Sequence, residues 1–337
     1  MSALVRQFDR FVSVRIVPAN GPGVLINPYP PGAPLPIPNA LRVTASISKS
    51  ISGDPQQCSV TAYNLGPIER DRVAGVSRQV YTLGEIIPTT GVTRAQANRV
   101  LAASGALDPV IITSRDGFAT VQIDAGYPGA MATVFSGICE TATNEYDGID
   151  WTSTLRTTDS SVAISRAVTD GTPVVAGTTG AAYVAILAAQ MGLSVGPLTA
   201  SNLVGYTFSR TYVPGLNRCR NELNELLGAL ECEWWIEDGT LYVTNFGEPL
   251  PLAPITVVGA PDAIGLRLLD RPRQTENGGV EIRTLLAPTM QLGRAVNLIT
   301  ADVAGAFRVD SVTHTIDNRG GSFETIARLT TLNPLGF

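Results

Sequence analysis

Apolar and polar residues alternate at period two in FVSVRIVP (11–18), LRVTASISKS (41–50) and QCSVTAYNL (57–65). That spacing predicts half-buried β-strands. The alternation returns in FATVQIDAGY (118–127) and in TVFSGICETATNEYDGIDWTSTLRTTD (133–159). It appears again near the C-terminus, in VEIRTLLAP (280–288), RAVNLIT (294–300) and FRVDSVTHTI (307–316). The middle of the chain follows a helical period instead. TTGAAYVAILAAQMG (178–192) sets Tyr183, Ile186, Leu187 and Met191 on one stripe, and GLNRCRNELNELLGAL (215–230) does so with Cys219, Leu223, Leu226, Leu227 and Leu230. A hairpin follows, CEWWI and TLYVTNF joined through Glu237-Asp238-Gly239, where Asp-Gly supplies the tight turn. Adjacent residues on a strand face opposite sides, so one of Trp234 and Trp235 is expected in the core. The other is a candidate interface anchor or a packing partner for the preceding helix.

These patterns predict a mainly β chain with an α+β insert. Residues 1–160 form a β domain interrupted at 66–117, where TRAQANRVLAASG (93–105) reads as a short helix between Thr93 and Gly105. Residues 161–250 form a mixed α/β domain, and 251–337 a second β domain entered through the proline-spaced connector 247–265. The run NPYPPGAPLPIP (27–38) cannot join a sheet ladder and is expected as an extended surface loop, a spacer outside either β core.

The two β regions share an internal repeat. GGSFETIARLT (320–330) lies 172 positions after GIDWTSTLRTT, so that Gly320 falls on Gly148, Phe323 on Trp151, Arg328 on Arg156 and Thr330 on Thr158. Carried upstream without a gap, Phe307 falls on Phe135, Thr313 on Thr141 and Thr315 on Thr143. Each copy reads as two strands across a short polar turn. The expected inner faces are Phe135, Gly137 and Cys139 with Trp151, Ser153 and Leu155, and Phe307, Val309 and Ser311 with Phe323, Ala327 and Leu329. Thr152, Arg156, Glu324 and Arg328 take the opposite faces. In this pairing Arg328 lies across from Asp310 as an ion pair, and Arg156 across from Ile138 with Glu140 diagonal to it.

Composition narrows the function classes. The 337 residues, 44% hydrophobic and 16% charged, describe a folded chain of two to four domains. The longest apolar run, AAYVAILAA (181–189), is too short for a bilayer, and no secretory leader opens the sequence, which points to a cytoplasmic start. Cys58, Cys139, Cys219 and Cys232 are scattered and read as buried free thiols. A net charge of −5 argues against a dedicated nucleic-acid binder. Lys49 is the only lysine among 24 basic residues, and no glycine run ends in Lys-Ser or Lys-Thr to make a phosphate loop. No GxSxG elbow occurs, and His314, the only histidine, has no triad around it and cannot build a histidine-rich metal site. Glu231 and Glu233 read as solvated strand acids, Asp147 and Asp150 as turn residues. No catalytic residue, cofactor or metal is expected.

The C-terminal run GGVEIRTLLAPTMQLGRAVNL with FRVDSVTHTIDNRGGSFETIARL resembles the last β-domain of phage baseplate hub proteins. Leu285, Leu286, Pro288, Gly293, Arg294, Val296, His314, Gly320 and Phe323 occupy the pattern's places. LRVTASISKS, SVTAYNL, VFSG and LNRCRNELNELLGALECEWWIEDGTLYV extend the likeness over most of the chain. The resemblance implies two tube-like β-barrel modules per chain and a homotrimeric ring in the virion tail or baseplate of contractile-tailed, Mu-like phages, assembled in the host cytoplasm. Three chains with two similar modules each would match a hexameric tail tube on one side and a trimeric central spike on the other. Tail tube, spike and other baseplate proteins are thus the implied partners. The lumen is left for DNA to pass, with no specific nucleic-acid contact and no membrane. The alternative is a tail-associated cell-wall hydrolase, though residues 160–250 hold no histidine. Arg156, Arg328, Asp310, Trp151, Phe323, Trp234 and Trp235 are the candidate structural and interface residues.

Overall fold

The computed structural model describes residues 10–18, 22–28, 40–75, 119–127, 130–159, 167–215, 217–259, 265–275 and 278–332. The helix expected at 93–105 and nearly all of the proline-rich run lie outside them. The alternating segments form strands β1 (Phe11–Val17), β2 (Val24–Ile26), β3 (Val43–Ser50), β4 (Gln57–Tyr63), β5 (Thr120–Tyr127), β6 (Ala130–Tyr146) and β7 (Trp151–Thr158). After a middle region come β11 (Ile255–Val258), β12 (Leu266–Arg267), β13 (Arg273–Gln274), β14 (Val280–Leu285), β15 (Ala295–Ile299), β16 (Ala304–Asp317) and β17 (Glu324–Thr331). Among the described residues these strands belong to one hydrogen-bonded network. Its main path runs β12-β11-β15-β16-β3-β4-β7-β6-β5-β1-β2, with β17 joining β16 to β14 and β13 beyond β14. Helix α1 (Pro67–Gly75) leaves β4 and drives Val73 into the first core.

The middle region holds helices α2 (Gly180–Gln190), α3 (Ser201–Gly205) and α4 (Cys219–Ala229). They pack with a small sheet of β8 (Ser194–Val195), β9 (Cys232–Glu237) and β10 (Thr240–Asn245). Thr179 caps α2 by accepting the Ala182 N–H at 3.2 Å. The inner face of α2 is Tyr183, Val184, Leu187 and Ala188, whereas Ile186 is 44% exposed. This helix is apolar on nearly all sides, so periodicity alone does not fix which side turns inward. No helix of the described residues is long and apolar enough to cross a membrane.

Three cores result. One lies inside β1 to β7 and takes in Leu286, Ile316 and Phe323 from the C-terminal region. A second lies between the middle helices and the β9–β10 hairpin, and a third among β11 and β14 to β17. The two tryptophans show how the second and third meet. Of the two alternatives for the second tryptophan, the structure shows the packing partner for the preceding helix and not an exposed anchor. Trp234 packs under α4, and its indole N–H donates to Asn224 at 3.0 Å. Trp235 is fully buried in the third core, stacked on Tyr242 with centroids 5.6 Å apart. The hairpin is therefore covered on both faces. Gly293 makes room for Trp235: at φ +71°, a Cβ there would come within 2.6 Å of the indole.

Trp235→Ala is expected to lower stability by about 3–5 kcal/mol, the usual range for emptying a buried aromatic site. Denaturation followed by circular dichroism measures it, and a loss under about 1 kcal/mol would mean that Trp235 does not hold the hairpin to the third core.

Candidate functional site: the repeated hairpins and their seam

The repeated stretches fold as the hairpins β6–β7 and β16–β17. In the first, Cys139 pairs with Thr157 and Thr141 with Arg156. In the second, Val309 pairs with Leu329 and Ser311 with Arg328. Each long strand carries a β-bulge one residue before the partner of the arginine, at Glu140 and at Asp310. The two bulges are 170 positions apart and the two arginines 172. The gapless register thus holds on the return strands and is two residues out on the leading strands, because the second turn is two residues longer. Thr141 matches Ser311, and Asn144 matches His314.

The bulges and the unequal turns overturn three expected contacts. Arg328 does not face Asp310; it lies across from Ser311 and bonds Glu281 on β14 at 3.2 Å. Asp310 instead binds Arg308 at 2.7 Å and accepts from the Thr330 hydroxyl. Arg156 lies across from Thr141, not Ile138, with Ser59 on its other side. Ser311 leaves the inner face, which continues through Val312, His314 and Ile316. A bulge accounts for Arg328 and Ser311, because an extra residue in one strand reverses the facing of everything after it; Arg156 is three places off, one from the bulge and two from the shorter first turn. Both arginines remain on the outer face, exposed, between inward neighbours Leu155 and Thr157 in one copy and Ala327 and Leu329 in the other. The Arg328–Glu281 pair is open to solvent and contributes at most about 1 kcal/mol.

The flanking strands agree as well. β4 pairs with β7, β7 with β6 and β6 with β5; β14 pairs with β17, β17 with β16 and β16 with β15. All six pairings are antiparallel. The aromatic after each turn has diverged. Trp151 is half-buried, stacked on Tyr146 and covered by the Arg70 guanidinium at 4.0 Å. Phe323 is buried edge-on to Tyr127 at 5.3 Å, in the core of the first unit.

The two four-strand units are joined by β3. One of its edges pairs with β4, the other with β16, from Ser50 opposite Ser311 to Thr44 opposite Asp317. Side chains lock the ends of this seam. Arg42 binds Asp317 at 2.8 Å, and Asn318 accepts the Val43 N–H at 2.8 Å and donates to the Leu41 carbonyl at 2.9 Å. Burial acts against the Asp317 charge, but Arg42 and the N–H groups of Arg319 and Gly320 prevail and hold its carboxyl below the usual range.

Lys49 sits within the seam, buried, 2.8 Å from Glu237 and 3.5 Å from Asp238 at the turn of the β9–β10 hairpin. Burial opposes its charge, yet the two carboxylates outweigh that and raise its pKa. Asp238 also accepts the Ser136 N–H of β6 at 2.8 Å, and Gln56 ties Ser50 to the Ile236 carbonyl. Arg308 repeats the device with Glu233 of β9. Sequence reasoning missed these joints; a lone lysine ending an apolar strand was their one visible signal.

The titratable groups here act in packing. His314 is fully buried against Thr325, and burial, with a smaller push from Lys49, lowers its pKa to about 3. Burial pushes the Cys58 and Cys139 thiols up to about 12, far from a nucleophilic thiolate. Among the described residues no cluster of three or more His, Cys, Asp or Glu could hold a metal ion. What the site offers is a pair of like β units, a strand shared between them and exposed sheet edges.

A family model described as "Baseplate hub gp41" matches residues 86–329. No curated protein matches the chain. Among solved structures, the tail protein from Neisseria meningitidis MC58 is 12% identical with a TM-score of 0.56, covering 96% of this chain and 96% of that one. The 43 kDa tail protein of prophage MuSo2 from Shewanella oneidensis is 10% identical with a TM-score of 0.53, covering 97% and 99%. At such identities the likeness shows the fold, and it runs the length of all three chains.

Two measurements test the seam. Lys49→Ala leaves Glu237 buried and uncompensated, so it should cost about 3–5 kcal/mol in denaturation. Joint replacement, Lys49→Met with Glu237→Leu, should recover most of that. An additive double variant would show that the two side chains do not act as a pair. His314 gives the pH dependence. Its folded pKa of about 3 lies below the unfolded value of 6.5, so the unfolded chain binds the extra proton first as pH falls. Its contribution is complete above pH 6.5 and is lost down to about pH 3, roughly 2 kcal/mol of it between pH 7 and 5. Relative to the wild type, His314→Gln should flatten the stability profile over that window; unchanged slopes would refute the assignment.

Proposed function

The chain belongs to the baseplate hub gp41 family, and from that premise we propose that this phage tail structural protein is a homotrimeric hub joining a hexameric tail tube to a trimeric central spike. The observation that carries this reading is the pair of four-strand units with the same strand order, the same antiparallel pairings and the same bulge before the outer arginine. Each unit is taken as one tube-like β-barrel module. Three chains then present six similar modules toward a sixfold tube, while differences between the modules keep threefold symmetry toward a spike.

The domains divide accordingly: 1–160 and 251–337 carry the modules, and 161–250 stands between them. The Lys49–Glu237 and Arg308–Glu233 joints support a middle domain that braces both modules against each other. Tail tube, spike and other baseplate proteins are the proposed partners, with the lumen open to DNA. Arg156 and Arg328 stand at six similar outer positions of such a ring.

The native mass of the purified chain, alone and with tube and spike partners, tests the reading. At tens of micromolar (roughly, for an interface of ordinary size) we expect three copies per particle. A particle of one or two copies under both conditions would overturn it. A clearing band at the chain's mass in a cell-wall zymogram would replace it with the hydrolase alternative.

A further inference from the structure

Each of the two modules has a strand edge that the other uses or could use, and among the described residues only one of the two possible joins is made. The join that is made lays β3 of the first module on the second half of β16, residues 311–317, with the Ile51 N–H to the Asp310 carbonyl and the Asn318 N–H to the Val43 carbonyl at its ends. The bulge-to-bulge correspondence maps that edge of β16 onto residues 141–147 of the first module. There β6 pairs with β5 only up to Ile138, and among the described residues no strand takes the free edge from Thr141 to Tyr146.

The counterpart of β3 is equally identifiable. Ser46 and Ile47 pair with Ser59 and Cys58 of β4; Arg273 and Gln274 pair with Glu281 and Val280 of β14. Since Ser59 and Glu281 both face the outer arginines, β13 stands to the second module as β3 stands to the first. Its outer side pairs with nothing among the described residues. The Thr275 N–H points to Gly279 inside the module, so by alternation the N–H and C=O of Gln274 point to the open edge.

Resting on the trimer reading, we propose that β13 of one chain pairs with the 141–146 edge of β6 in a second copy, repeating between chains the β3–β16 join made within each. Transferring the register of that join sets Gln274 opposite Asn144 and Arg273 opposite Glu145. The charges on the two edges are complementary. Arg267, Arg271 and Arg273 are exposed and form no ion pair with the described residues. On the other edge Glu145 and Asp147 are exposed, and Asp147 is held ionised by the N–H groups of Asp150 and Ile149. Pro272 has no N–H to give and limits the new ladder to a short one, so the charges are the larger share of its specificity. The contact is head-to-tail, and closes into a ring only at a fixed copy number.

The test is a disulfide placed across the transferred register. Ser46 and Thr315 form a non-hydrogen-bonded pair in the in-chain join, the kind with the closest side chains, so Glu145→Cys with Arg273→Cys should oxidise between copies. The four native cysteines are buried. The double variant is expected to give covalent dimers and closed trimers that collapse on reduction, and either single variant to stay monomeric on the gel. A native trimer that fails to cross-link overturns this interface and leaves the trimer reading standing. A chain that stays monomeric with and without tail partners overturns both. Should the double variant misfold by circular dichroism, charge reversal decides instead. Arg273→Glu or Glu145→Arg alone should raise the concentration of half-dissociation at least roughly tenfold, with the joint reversal restoring it; no change on single reversal overturns the interface.

Discussion

A strand in the middle of a sheet must pair its peptide groups on both edges, and β3 does so with partners from opposite ends of the chain. Through β4 it belongs to the first four-strand unit, through β16 to the second. Leaving either edge unpaired inside the protein would cost the desolvation of each orphaned amide, so the two units cannot separate without breaking a seven-residue ladder. The lysine on this strand then fixes the middle region. Lys49 is held in a buried position only because Glu237 and Asp238 come to it from the β9–β10 turn. That hairpin is in turn packed between two cores by Trp234 and Trp235. One strand thus sets the relative placement of all three regions.

The bulges at Glu140 and Asp310 are the second organising element. Each divides a long strand into a half that pairs with one neighbour and a half free for another. β6 and β16 both change partner there: among the described residues β5 gives way to no further strand in one, and β15 gives way to β3 in the other. The bulge also reverses inside and outside, which lets His314 and Ile316 be buried while Arg308 and Asp310 meet as an ion pair. Like geometry with unlike side chains is what a hub needs if one chain must present two equivalent modules in different surroundings. Phe323 and Trp151 illustrate it: the same position after the turn is a core residue in one module and a helix-covered aromatic in the other.

On the proposed reading, the conflict between sixfold and threefold partners is resolved inside the polypeptide. Repetition of the strand order supplies the sixfold approximation, and the covalent link between unlike modules reduces the true symmetry to three. His314 is held neutral and Cys58 and Cys139 are held as thiols, while the buried Lys49 and Arg308 are paired with carboxylates across the joints.

Much of this was legible from one dimension. Period-two alternation located the strands, because a half-buried strand must show it whatever it pairs with. The Asp-Gly turn located the β9–β10 hairpin, since few residues tolerate its backbone. The repeat located two like hairpins and put Arg156 and Arg328 on the outer face, and this is untouched by the two-residue offset of the leading strands because both arginines lie on the return strands, where the register holds. What the sequence could not hold was pairing. A bulge is one residue with no compositional mark, so alternation alone sets Arg328 opposite Asp310, whereas its partner is Glu281, 47 positions away. Which side of α2 turns inward, and that both tryptophans are buried, depend on what lies on the far side of each element. The double role of β3 and the single lysine at its seam exist only where distant segments meet, because hydrogen-bond partners in a sheet are chosen by closure of the whole fold and not by neighbours along the chain.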